Sequence, residues 1–98
     1  MKLDISEKEG ILTGRISGRF DTLAAKEVDM KPFLDNADKT LCFDCTEMDF
    51  ISSAGLRHFL ALYNECRSKG GSIVLKGIGP DVMRVFKVAG FTPFFTFE

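Results

Sequence analysis

The stretch Phe50–Leu56, FISSAGL, runs two apolar residues into two serines, then Ala-Gly, then a helical pattern. Downstream, Leu56, Phe59, Leu60 and Tyr63 recur at i, i+3, i+4 and i+7, which predicts a helix with one buried stripe. Lys69-Gly70-Gly71 closes that helix, with a base in the last turn and a glycine free to turn left-handed. Upstream, residues 40–45 (TLCFDC) read as a buried strand, and Thr46 to Asp49 as a polar connection. FISSAGL is therefore a junction between a strand and a helix. Ser72–Lys76 (SIVLK) reads as a second buried strand. Pro80 suits the first position of another helix, with Asp81 in its first turn and Val82, Val85, Phe86 and Ala89 facing inward. Gly90 ends it. Phe95 and Phe97 alternate about Thr96, which predicts a short last strand.

The N-terminal half completes the pattern. Residues 2–7 and 11–17 read as a hairpin about Lys8-Glu9-Gly10, and Gly14 marks a weak strand or a close approach. Asp21 or Thr22 can cap the next helix, with Leu23, Ala24, Val28 and Met30 on one side. Pro32 inside a helix would cost about 3 kcal/mol or more. Either the helix ends near Met30, or it kinks and restarts at Phe33-Leu34; the sequence leaves both open. The order is β-β-α-β-α-β-α-β. Strand–helix alternation after a hairpin implies mostly parallel pairing with right-handed crossovers. The expected fold is α/β: a single domain over residues 1–98, with helices packed on a mixed sheet.

Composition removes several function classes. A net charge of -1 gives no electrostatic footprint for nucleic acid and no basic membrane patch. No apolar run approaches the ~18 residues of a membrane span, so no direct membrane insertion is expected. MKLDISEKEG carries no leader pattern, and three cysteines, an odd count, suit a reducing, cytoplasmic compartment. Cys42 and Cys45 have C-x-x-C spacing, but residues three apart on a strand point to opposite faces. Small buried hydrophobes are the simpler reading than a redox or zinc site, and no metal or cofactor is expected.

The two serines admit three readings. An acyl-transfer nucleophile needs a tight turn and a nearby base, yet Ile51 replaces the leading glycine of G-x-S-x-G. His58, the only histidine, lies five residues down the same helix and faces away; it reads as a surface residue. KGIGPD matches no phosphate-loop pattern. Ser53 just before the helix is a good N-cap, worth about 1 kcal/mol. A cap alone leaves Ala54-Gly55 unexplained. They bare the helix entrance, so a phosphate donor can approach, and the helix N-terminus stabilises added phosphate. A serine there would gain about -1.5 to -2 of charge and repel a docked partner.

Taken in order, GRFD, FISSAGL, GGSIVLKGIGPDVMRVFKVAGF and the apolar C-terminal strand make the chain resemble a STAS domain of the bacterial anti-sigma factor antagonist family. The resemblance covers nearly the whole chain. It implies a non-enzymatic binding module. The family's regulatory phosphoserine stands two residues before the motif glycine, which is Ser53 here. The implied partners are a serine-kinase anti-sigma factor, held when the antagonist is unphosphorylated and released when it is phosphorylated, and a serine phosphatase. The implied partner surface is Asp21, Ser52, Ser53, Ala54, Gly55, Leu56 and Arg57. Ser52 stands where many members carry Asp, which removes a charge and makes Ser52 an alternative acceptor. The family also includes adaptor subunits of transporter ATPases and sensory complexes with no sigma-factor role.

Overall fold

The computed structural model describes residues 1–98. Its strands are β1 (Lys2–Lys8), β2 (Ile11–Phe20), β3 (Thr40–Ile51), β4 (Ser72–Lys76) and β5 (Thr96–Phe97). Its helices are α1 (Thr22–Glu27), α2 (Lys31–Leu34), α3 (Ser53–Lys69) and α4 (Pro80–Ala89), with a 3-10 turn at Thr92–Phe94. The five strands lie in chain order, β1-β2-β3-β4-β5. The β1–β2 hairpin is antiparallel, and β2–β3, β3–β4 and β4–β5 are parallel. This is the mixed sheet that a hairpin followed by strand–helix alternation requires. Glu9 and Gly10 turn the hairpin with φ of 54° and 79°, the backbone that a two-residue hairpin loop needs.

One face of the sheet is the core. Leu12 and Ile16 of β2, Leu41, Phe43 and Cys45 of β3, and Ile73 and Leu75 of β4 join the helix residues in one 21-residue cluster. Neighbouring positions point the other way, as a strand period of two demands. Thr13, Thr40, Cys42, Val74 and Lys76 line a shallow depression on that second face. Cys42 and Cys45 thus diverge, as their spacing on a strand predicts. Both are free thiols. Burial pushes the Cys45 thiol up to about 12, so it stays protonated and unreactive at neutral pH. Alkylation at pH 8 is therefore expected to spare Cys45 in the folded protein and label it in about 6 M guanidinium. Prompt native labelling, read by mass spectrometry, would contradict this packing.

Several elements depart from expectation. Thr46 to Asp49 is not a connection: β3 runs unbroken to Ile51, and β2 continues through Gly18-Arg19 to Phe20. Register shifts between Arg15 and Ser17, and between Gly18 and Arg19, let the two strands keep pairing. Such bulges change which residues face inward. Met48 is buried and Glu47 and Asp49 are exposed, where simple alternation from Cys45 would turn both acids inward; the second shift returns Ile51 to the inward face. Pro32 resolves into both open alternatives. α1 ends at Glu27, and α2 starts again with Pro32 in its first turn, where the missing N–H costs nothing. Leu23 is exposed rather than inward, and Ala25 takes the buried position of α1. Ala89 is exposed, leaving Val82 and Phe86 as the buried residues of α4. The Gly70-Gly71 pair has two jobs. Gly70 caps α3 with φ of 84°. A side chain on Gly71 would overlap the carbonyl oxygens of Ala37 and Lys39.

Candidate functional site

Phe20 and Ile51 are the last paired residues of β2 and β3. The next residue on each strand caps a helix, so the two caps lie side by side at the carboxyl edge of the sheet. This is where open α/β sheets place their sites. Asp21 Oδ1 accepts the Ala24 N–H at 2.9 Å and starts α1. Ser52 Oγ accepts the Gly55 N–H at 3.1 Å and starts α3. The same hydroxyl donates to the Phe20 carbonyl at 3.0 Å. The Ser52 N–H donates to that carbonyl as well, at 2.9 Å.

The cap is therefore Ser52, not Ser53. Helix α3 begins one residue earlier than its apolar spacing indicates, and Ser53 is its first residue. Ser53 is exposed, whereas Ser52 is half-buried with its hydroxyl used as both acceptor and donor. Aspartate in place of Ser52 would also cap, but a carboxylate cannot donate to Phe20. Ser52→Ala is expected to cost about 1 kcal/mol. For a domain this size that lowers Tm by about 4–8 °C. An unchanged Tm in a thermal scan would contradict the assignment of the cap.

Gly55 also has a different role from the expected one. It is buried, and a Cβ there would lie 3.0 Å from both the Phe20 carbonyl oxygen and Ile51 Cγ1. The glycine lets α3 press onto the ends of β2 and β3, and does not keep the entrance bare. Leu56 is also buried, at 4% exposure. Arg57 is exposed, and Asp21 and Ala54 are half-buried. Of the seven residues marked by the resemblance, only Ser53 and Arg57 are exposed.

His58 is not a free surface residue. Its ring stacks on Phe20 at 5.9 Å between centroids. Its Nε2 lies 2.6 Å from the Ala25 carbonyl oxygen, which can only accept, so Nε2 carries the proton. His58 ties α3 to α1. The two flanks of the serine differ in character. On the α1 side, Thr22, Lys26, Arg57 and His58 line a pocket with Ala25 and Ala54 that carries two basic side chains, Lys26 and Arg57. On the α4 side, Ser53 shares an apolar groove with Leu56, Arg84, Val85, Val88 and Ala89. Val88 is 84% exposed there. Sequence reasoning missed Lys26, Arg84 and Val88. They come from other elements, and the one available signal was Val88, an apolar residue outside the inner stripe of α4.

The description of the STAS domain matches residues 2–98. BtrV of Bordetella bronchiseptica, whose name includes the words anti-sigma factor antagonist, is 31% identical over 97 residues, 97% of this chain and 84% of BtrV. Among solved structures, unphosphorylated SpoIIAA superposes with a TM-score of 0.81 at 18% identity, over 99% of this chain and 88% of that one. The Bacillus cell fate determinant SpoIIAA in its phosphorylated form gives 0.73 at 17% identity, over 99% and 91%. The superpositions show a shared fold, the sequence match spans nearly every residue, and the chain belongs to the STAS domain family.

Proposed function

We propose that this protein is an anti-sigma factor antagonist, a binding module switched by phosphorylation of Ser53. One observation carries the choice of residue: of two adjacent serines, Ser53 alone presents an exposed hydroxyl with no protein partner, while Ser52 is tied down as the cap. The relative named for this role supports the reading, as does the like-folded SpoIIAA, which has a phosphorylated form. In the unmodified state the protein holds a serine-kinase anti-sigma factor against the surface around Ser53 and Arg57, and the sigma factor goes free. The kinase then moves the γ-phosphoryl group of ATP to Ser53 Oγ. The bond from phosphorus to the ADP oxygen breaks, the Oγ–P bond forms, and the hydroxyl proton leaves to a base on the kinase. The new charge of about -2 stands at the rim of an apolar groove, where it opposes docking by repulsion and by its cost of desolvation. A serine phosphatase restores the hydroxyl.

The backbone at Ser53 is already helical, so the modified residue joins an intact first turn and the switch works on the surface alone. The test is displacement. A preformed complex of the anti-sigma factor with its sigma factor is titrated with the unmodified protein. Release of free sigma factor, seen by gel filtration, is the expected result. An intact complex at a large excess of the protein would count against the role. Capture of a transporter ATPase instead would point to the adaptor branch of the family.

A further inference from the structure

We propose that Arg84 is the counter-charge for phosphate on Ser53, so that modification ties the start of α3 to α4 across the groove between them. The inference rests on Ser53 as the acceptor and adds the chemistry that receives its new charge. Arg84 is the only charged residue lining the groove it shares with Ser53; Leu56, Val85, Val88 and Ala89 supply the rest. Its ion-pair partner is Asp81, on its own helix, at 3.5 Å. Both side chains of that pair are largely exposed, at 71% and 90%, and such a pair is weak. A phosphate dianion is the stronger partner: it offers three acceptor oxygens to the planar fork of a guanidinium.

The competing cation is Arg57, one turn along α3. It lines the opposite pocket with Lys26 and His58 rather than the groove that holds Ser53. A phosphate held by Arg84 would cover the head of the groove, so modification would remove an apolar contact surface as well as add charge. The positions of Leu56, Val85 and Val88 make that loss specific to the α4 flank.

The full chain with phosphoserine installed at residue 53 during translation tests this without any kinase. Its phosphorus resonance is followed by NMR from about pH 4 to 8 at low salt. An arginine partner favours the dianion, so the second phosphate pKa is expected about 0.5 unit lower in the parent than in Arg84→Gln. Arg84→Lys falls between them, and Arg57→Gln titrates like the parent. Raising the salt in the parent alone is expected to move its pKa up toward that of Arg84→Gln. Identical titrations for the parent and Arg84→Gln, a shift that follows Arg57 instead, or no response to salt would each overturn the pairing. Such a failure would leave Ser53 standing as the kinase acceptor. Conversely, a kinase that ignores Ser53 would leave the pairing measured here intact.

Discussion

Phe59→Ala is expected to lower the unfolding free energy by about 3–5 kcal/mol. A natural domain has only about 5–15 kcal/mol in all. Phe59 is fully buried on α3 and is the hub of the aromatic core. Its ring meets Phe43 at 5.2 Å, Phe20 at 5.9 Å, Phe86 at 6.0 Å and Phe95 at 6.4 Å. Those partners come from β3, β2, α4 and the C-terminal segment, so a cavity here loosens four elements at once. The three edge-on contacts have geometry that adds about 0.5–1.5 kcal/mol per pair beyond area burial. Urea titration should show a lower midpoint with an unchanged slope. A loss under about 1 kcal/mol would mean that the core closes over the gap, and would contradict this packing. Phe20 lies against both Phe59 and His58, and its carbonyl receives Ser52. The site therefore rests directly on the core.

Ser53→Asp is expected to weaken binding to the anti-sigma factor by about 10-fold or more, equal to about 1.4 kcal/mol. Ser53→Ala should stay within about 3-fold of the parent, because the hydroxyl has no intramolecular partner to lose. Neither change should move stability by more than about 0.5 kcal/mol. Asp in the first turn is mildly favourable to the helix dipole. This separates the two serines by experiment: position 52 governs folding and position 53 governs binding. Isothermal titration of both variants, with thermal scans as the folding control, reads the difference. Equal affinities for Ser53→Asp and Ser53→Ala would remove the charge switch, leaving a constitutive interaction domain.

Much of the fold is legible in the residues. The i, i+3, i+4 spacing of α3, the Pro80 start and Gly90 stop of α4, and the compact SIVLK strand are local signals, and each matches the structure. Strand ends were harder to read. Met48 breaks the inward parity of β3 and Ile51 restores it, and the two register shifts against β2 that cause this cannot be seen in either strand alone. The same limit applied at the junction. Which serine caps α3 depends on the Phe20 carbonyl, 32 positions away, which draws Ser52 into the cap. Gly55 looked like an open door for the same reason: the residues that crowd it, Phe20 and Ile51, arrive through the sheet. The groove beside Ser53 was invisible because its far wall belongs to α4.

The most direct test of the account is the site of phosphorylation. The protein, Ser52→Ala and Ser53→Ala are each incubated with the cognate kinase anti-sigma factor and ATP, and the modified peptide is mapped by mass spectrometry. Phosphate is expected on Ser53 in the parent and in Ser52→Ala, and none in Ser53→Ala. Phosphate on Ser52, or on neither serine, would contradict the account.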